Sequence, residues 1–344
     1  MELNKNNKKD NPNRVNASKV IINDSFSEWV FENTFIIFKS FNGFFLLTYA
    51  TEKKSIIFYN LIHFQVISEL KEAHKEYITN FAHCYDAKLK MDLIMSISRS
   101  DNNIKIWNLS NYNCIMNLEK VNKGGILNSA CFLNFQGNNY IITSNRNWVD
   151  PEPLKIFQIK NDNFFTIKSS KKNTFFVNIY NDIKNNIIFI ITGNEGNVIS
   201  YNYNENEIYN IYCEEFENDI FHQSFKIYED KNNFITKLIE SSDGINGIIR
   251  IWDFHNASLL GKIETSNNVL RCIDIWDNNF AFAGCGDKSI KLIDLENYRI
   301  INSLIGHKNI VCSFKIIYHP ILGKCIISQG HNNDQIIIWT SKSD

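Results

Sequence analysis

Residues 241–253 read SSDGINGIIRIWD: small polar residues, a glycine-bearing turn, then an Ile-rich run that ends in Trp252 and Asp253. Ile249 and Ile251 alternate with period two, β-branched residues dominate, and turn formers bound the run, which is the pattern of a strand and not of a helix. Residues 98–108 (SRSDNNIKIWN), 284–294 (GCGDKSIKLID) and 328–340 (SQGHNNDQIIIWT) repeat it clearly. Residues 51–60 (TEKKSIIFYN), 150–158 (DPEPLKIFQ) and 192–202 (TGNEGNVISYN) repeat it weakly.

The seven copies close on Tyr59, Trp107, Phe157, Tyr201, Trp252, Ile293 and Trp339. These recur about every 41 to 51 positions, the period of a four-stranded propeller blade. Runs such as Ile336-Ile337-Ile338 lose the apolar–polar alternation, as expected of a blade that buries both faces between neighbours. The repeat therefore predicts an all-β, seven-bladed β-propeller of four-stranded antiparallel blades, spanning residues 33–70, 77–120, 126–169, 174–213, 220–264, 268–304 and 309–340. In the second blade the strands are placed at 77–84, 93–98, 104–109 and 113–118. The last blade runs out of chain after three strands. The apolar stretch VIINDSFSEWVF at 20–31 is expected to supply the fourth by pairing with residues 335–339, closing the ring and covering its open edge. A polar tail, expected to be disordered, is assigned to residues 1–17 and a single propeller domain to 18–344.

Two full dipeptides, Gly306-His307 and Trp252-Asp253, and the degenerate Ala73-His74, Trp107-Asn108 and Ile293-Asp294 carry a family resemblance. Over about residues 30–340 the chain resembles WD-repeat propellers. The resemblance implies a structural hydrogen-bond network of His before the first strand, Ser in the second, Asp in the turn and Trp in the third. Residue by residue it falls on His74, Ser98 (or Ser96), Asp101 and Trp107. His307, Ser328 and Trp339 form a second set, with Asn333 at the Asp position. Trp252, Asp253 and Asp287 are further members.

The chain has 344 residues, a net charge of −1 and 44% apolar residues. That composition supplies a large core, and a near-neutral balance disfavours a general polyanion binder, which needs clustered Lys and Arg. Eight cysteines without a CxxC pair read as buried thiols of a reducing compartment, with Cys84, Cys131, Cys272 and Cys312 inside apolar runs. The polar, basic N-terminus lacks the apolar segment of a secretory signal, and no apolar run is long enough to span a membrane. A cytoplasmic or nuclear protein without membrane insertion is expected.

The chain has no phosphate-binding GxxxxGK[ST] loop, HExxH, GxSxG elbow or the closely spaced Cys/His pairs of a zinc site. His83 and Cys84 are adjacent, but neighbours on a strand face opposite ways. No catalytic residue, metal or cofactor is therefore assigned. The paired arginines of phosphoinositide-binding propellers are also missing. The expected function is a non-catalytic protein- or peptide-binding scaffold, a monomeric domain within a larger complex. The alternatives are an enzyme with its site in the central channel, or a nucleic-acid-binding propeller. Three loops stand out as partner surfaces: 144–154 (SNRNWVDPEPL) with Arg146 and Trp148, 168–172 (KSSKK) with Lys171 and Lys172, and 213–219 (CEEFEND) with Glu214 and Glu215.

Overall fold

Asn, Asp and Gly turns punctuate this chain so regularly that nearly all its order is extended. The computed structural model describes residues 12–22, 34–41, 43, 45–51, 54–121, 125–146, 154–159, 164–167, 174–214, 221–231, 234–243, 247–265, 269–331 and 335–341. Among them lie seven four-stranded sheets and one short 3-10 turn, Pro12–Arg14. Six of the sheets are antiparallel meanders of consecutive strands and the seventh is an antiparallel sheet completed from the N-terminus, so the chain is an all-β, seven-bladed propeller. Blade 2 is typical: Ile78–Asp86, Met91–Ser98, Asn103–Asn108 and Cys114–Leu118, from the innermost strand outward. These lie within a few residues of the positions read from the sequence.

Packing shows why the ring is closed. Seven apolar clusters form, and each joins two consecutive blades. Phe58 and Ala73 meet Phe81 and Trp107 between blades 1 and 2. Leu47 and Tyr59 of blade 1 meet Cys325, Ile327 and Ile338 of blade 7, which returns the circle to its start. All seven closing residues, from Tyr59 to Trp339, are buried in such seams. The third strand of a blade is buried on both faces, as Ile336–Thr340 is throughout, while the outermost strand is largely exposed, as Gln65–Leu70 is. Polar ties join inner strands around the channel: Ile273 N donates to Ser224 Oγ at 3.1 Å and Ile316 N to Asp274 Oδ2 at 3.0 Å.

Two glycines mark where the seams leave no room. A methyl group on Gly193 in blade 4 would lie 2.1 Å from the His222 carbonyl of blade 5, a backbone clash with no easy relief. On Gly306 it would lie 2.9 Å from the Trp339 ring. The Gly of the Gly306-His307 pair is thus required by the Trp that closes its own blade.

Blade 7 takes its outer strand from the other end of the chain. Asn16–Ile22 runs antiparallel to Ile336–Thr340, with Asn16 opposite Thr340 and Ile22 opposite Ile336. The expected donor, residues 20–31, overlaps this strand only at Val20–Ile22; residues 23–33 lie outside the described residues. The assigned tail boundary at residue 18 falls inside the strand, and Val15 is buried among Phe282, Leu304 and Trp339. An edge strand pairs through its backbone, so the polar letters Asn16, Ser18 and Lys19 hid a strand that apolarity alone does not reveal.

Of the eight cysteines, all free, Cys272, Cys285, Cys312 and Cys325 are buried, whereas Cys84 and Cys131 are only partly so and Cys114 and Cys213 are exposed. Burial pushes the Cys325 thiol up to about 12, which keeps it protonated and unreactive.

Candidate functional site

The meander sorts the loops onto two faces. On one lie the turns between second and third strands and the connections between blades. On the opposite face lie the turns between first and second strands and between third and fourth strands.

Polar networks hold the first face. In blade 2, Trp107 Nε1 donates to Ser96 Oγ at 2.8 Å, and Ser96 Oγ lies 2.7 Å from His74 Nε2. Blade 7 repeats the arrangement: Trp339 Nε1 donates to Ser328 Oγ at 2.6 Å, and Ser328 Oγ lies 2.6 Å from His307 Nε2. Ser98 therefore does not carry the blade-2 network; Ser96 does. Ser98 pairs across the ladder with Asn103, at the turn end of the blade, while Ser96 sits opposite Lys105, within reach of the indole. Asp101 does not join the network either, since neither buried carboxylate oxygen has a hydrogen-bond partner. Asn333 lies outside the described residues. We expect Ser96→Ala to strand the buried Trp107 N–H and lower stability by about 1–3 kcal/mol. Ser98→Ala should cost under about 1 kcal/mol, because Ser98 Oγ has no partner to lose. Urea unfolding of the two variants measures the difference.

Blade 5 solves the same problem with charge. Glu240 stands where Ser96 and Ser328 stand in their blades, and Trp252 Nε1 donates to Glu240 Oε1 at 3.2 Å. His222 Nδ1 bonds the other oxygen of Glu240, and Arg250 Nη1 lies 3.8 Å from Glu240 Oε1. Arg250 Nε donates to Glu214 Oε2 at 2.7 Å, and Lys262 Nζ donates to the same oxygen at 3.0 Å. His222, Glu240 and Arg250 are essentially inaccessible to water. Burial raises the Glu240 carboxyl, but His222, Arg250 and the Trp252 bond outweigh it and hold the group below the ordinary glutamate range. The sequence reading missed this cluster. Its signal was a Glu in place of Ser two positions before the Ser-Asp turn motif of residues 242–243.

The Asp of Trp252-Asp253 works locally. Asp253 Oδ1 accepts from His255 N at 2.9 Å and Asn256 N at 3.0 Å, which caps the following turn. Asp294, Asn108, Asn60 and Asn202 cap the equivalent turns. Asp287, expected in the His–Ser–Trp network, instead accepts from Ser289 N at 3.1 Å and pairs with Lys291 Nζ at 2.6 Å. Burial opposes its charge, but those bonds hold Asp287 below the usual carboxylate range.

The loop residues singled out for partners are mostly beyond description. Arg146 ends the second strand of blade 3, Asn138–Arg146. Trp148, Lys171, Lys172 and Glu215 lie outside the described residues. Glu214 is described, and Arg250 and Lys262 neutralise it within the chain. His83 is occupied structurally: its Nε2 lies 2.8 Å from Asp92 Oδ1, and its ring stacks on Phe38 at 4.0 Å.

The opposite face carries what sequence reasoning did not see. Phe234 is 94% exposed, Ile183 84% and Tyr318 73%. With Phe41 and Ile321 they lie in or beside the hairpins between first and second strands of blades 1, 4, 5 and 7. A single apolar letter in a polar turn gives no sequence signal; only the ring brings the hairpins onto one face.

No family model matches the chain. One relative is the U3 small nucleolar RNA-associated protein 21 homolog of Schizosaccharomyces pombe, 26% identical over 70 residues. Another is myosin heavy chain kinase C of Dictyostelium discoideum, 31% identical over 70 residues. Each match covers 20% of this chain and only 8% or 9% of the relative. The fold is that of a seven-bladed β-propeller. Its repeats and these short similarities fit a WD-repeat propeller.

Proposed function

We propose that this chain is a non-catalytic scaffold that holds a protein or peptide within a larger complex, in the cytoplasm or the nucleus. The observation that supports this best is the set of large apolar side chains in the hairpins of one face. Phe234 and Ile183 stand in first-to-second-strand hairpins of the adjacent blades 5 and 4, where they offer a partner large apolar side chains carried by rigid blades. The matched relatives carry "kinase" and "RNA-associated" in their names, but over so small a share of their lengths the similarity supports the repeat alone. No group of three or more His, Cys, Asp or Glu is placed to hold a metal among the described residues. No helix there is long and apolar enough to cross a membrane.

The test is capture by the tagged full chain. Phe234→Ser with Ile183→Ser should abolish recovery of the stably bound partner while shifting Tm by no more than about 2 °C, as expected of exposed positions. The Arg146–Trp148 loop, proposed from sequence as a second contact on the other face, is tested by Arg146→Ala with Trp148→Ala in the same assay. If both double variants retain the partner in full, neither face serves as proposed.

A further inference from the structure

At the seam of blades 1 and 2, on the face opposite those apolar hairpins, lies an open cavity of about 910 Å³. Lys54 enters it from a blade 1 turn, Lys71 and Lys75 from the connection between blades, and Lys105 from the third strand of blade 2. Two of these ammonium groups are fixed. Lys105 Nζ donates to the Ala73 carbonyl at 2.6 Å and sits 5.6 Å from the Trp107 ring centroid. Lys54 Nζ donates to the Lys75 carbonyl. Lys71 and Lys75 are exposed. In a chain of net charge −1, four lysines face Glu69 and Glu72 of the cavity and Glu76, whose Oε2 lies 3.7 Å from Lys54 Nζ, which leaves a small local positive excess.

A second observation points to a ligand. His74 lines the cavity at 3% exposure, and its Nδ1 has no hydrogen-bond partner. The proton on that atom follows from the network behind it. Trp107 Nε1 donates to Ser96 Oγ, so the single Ser96 proton is free to go to His74 Nε2. Burial, with Lys105 adding to it, lowers His74 to about 3, which favours the neutral ring; we assign the Ser96 proton to Nε2, and that assignment places the ring's one proton on Nδ1. The buried N–H is a donor without an acceptor, a condition natural structures rarely tolerate. Asp101, the acceptor the WD resemblance supplies, does not take it.

We infer that this seam binds the side-chain carboxylate of an acidic peptide segment, which accepts from His74 Nδ1–H and is held by Lys71 and Lys75. A carboxylate fits better than a phosphate dianion. Only one neutral donor waits at the floor, and with Glu69, Glu72 and Glu76 set against the four lysines the positive excess is small enough for a single negative charge to neutralise. This site is separate from the apolar hairpins of the proposed function.

The probe is a decapeptide of alternating Glu and Gly, added to the full chain with ¹⁵N-labelled histidine. We expect the His74 Nδ1 resonance to shift on binding, with its Gln-for-Glu counterpart inactive. Lys71→Gln with Lys75→Gln, both on exposed positions that leave the fold intact, should weaken binding about tenfold or more, equivalent to about 1.4 kcal/mol. Equal binding of the Gln peptide, an unmoved His74 resonance, or full affinity in the lysine variant overturns the inference, and leaves a water on Nδ1 as its acceptor. Inorganic phosphate displacing the peptide at lower concentration than acetate overturns the choice of carboxylate. Phe234→Ser with Ile183→Ser should bind the decapeptide normally, so failure of this reading and failure of the scaffold reading are separable.

Discussion

Removal of residues 1–22 is expected to unfold the whole domain cooperatively rather than trim its edge. Without Asn16–Ile22, the backbone of Ile336–Thr340 loses its antiparallel partner along five paired positions, and the most buried strand of blade 7 becomes an open edge. Val15 also leaves the cluster that seals blade 6 against blade 7. Blade 7 packs on blade 1 through Ile327 and Ile338, so loosening it opens the ring at its closing seam. Against a total stability of about 5–15 kcal/mol, losing several kcal/mol leaves little, and an exposed Ile-rich edge invites aggregation. Thermal melting should fall by roughly 10 °C or more. Adding a synthetic peptide of residues 12–22 should recover part of the loss. A truncated chain that melts like the full one would show that the strand has no role in closure.

Glu240→Ala carries the second large effect, about 3–5 kcal/mol of destabilisation, because it leaves buried charge unpaired. Arg250 keeps Glu214, but His222 loses the bond on Nδ1 and Trp252 Nε1 loses its acceptor. Glu240→Gln should fall between, since it retains an acceptor for Trp252 and removes only the charge. The pair Glu240→Ser with Arg250→Lys imports the blade 2 solution, Ser96 opposite Lys105, and should be less damaging than Glu240→Ala alone. The acid limb supplies an independent check. Glu240 is held below its free value of about 4.5, so its contribution is complete above that pH and fades as the pH falls through the folded-state value. The wild-type chain should lose stability relative to Glu240→Ala as the pH drops below about 4.5, and the gap between their urea midpoints should narrow. A constant gap across that range would mean that the cluster is not ionised as described.

Blade number and strand order were legible because each blade repeats one message: turn formers, an Ile-rich run, a large closing residue. Seven copies in phase outweigh the weakness of any one, and burial of all seven closing residues follows from blade-on-blade packing. The polar network was half legible. Trp107 and His74 are recognisable letters, but Ser96 and Ser98 lie on the same face, and only ladder register puts Ser96 under the indole. Blade 5 was illegible by type. A Glu in a strand reads as a solvated edge until Arg250 and His222, ten residues on and eighteen back, are seen to converge on it.

Sequence alone determined that this chain is a ring of seven sheets, since period and alternation are local properties that each segment declares for itself. Tertiary structure alone decided what gathers where: the apolar hairpins on one face, the lysines around His74 on the other, and which residues of the N-terminal segment, Asn16–Ile22, lie beside the strand from residue 336. Those groupings join residues far apart in the chain, and their positions are set by how the blades pack around the ring, which no local pattern encodes.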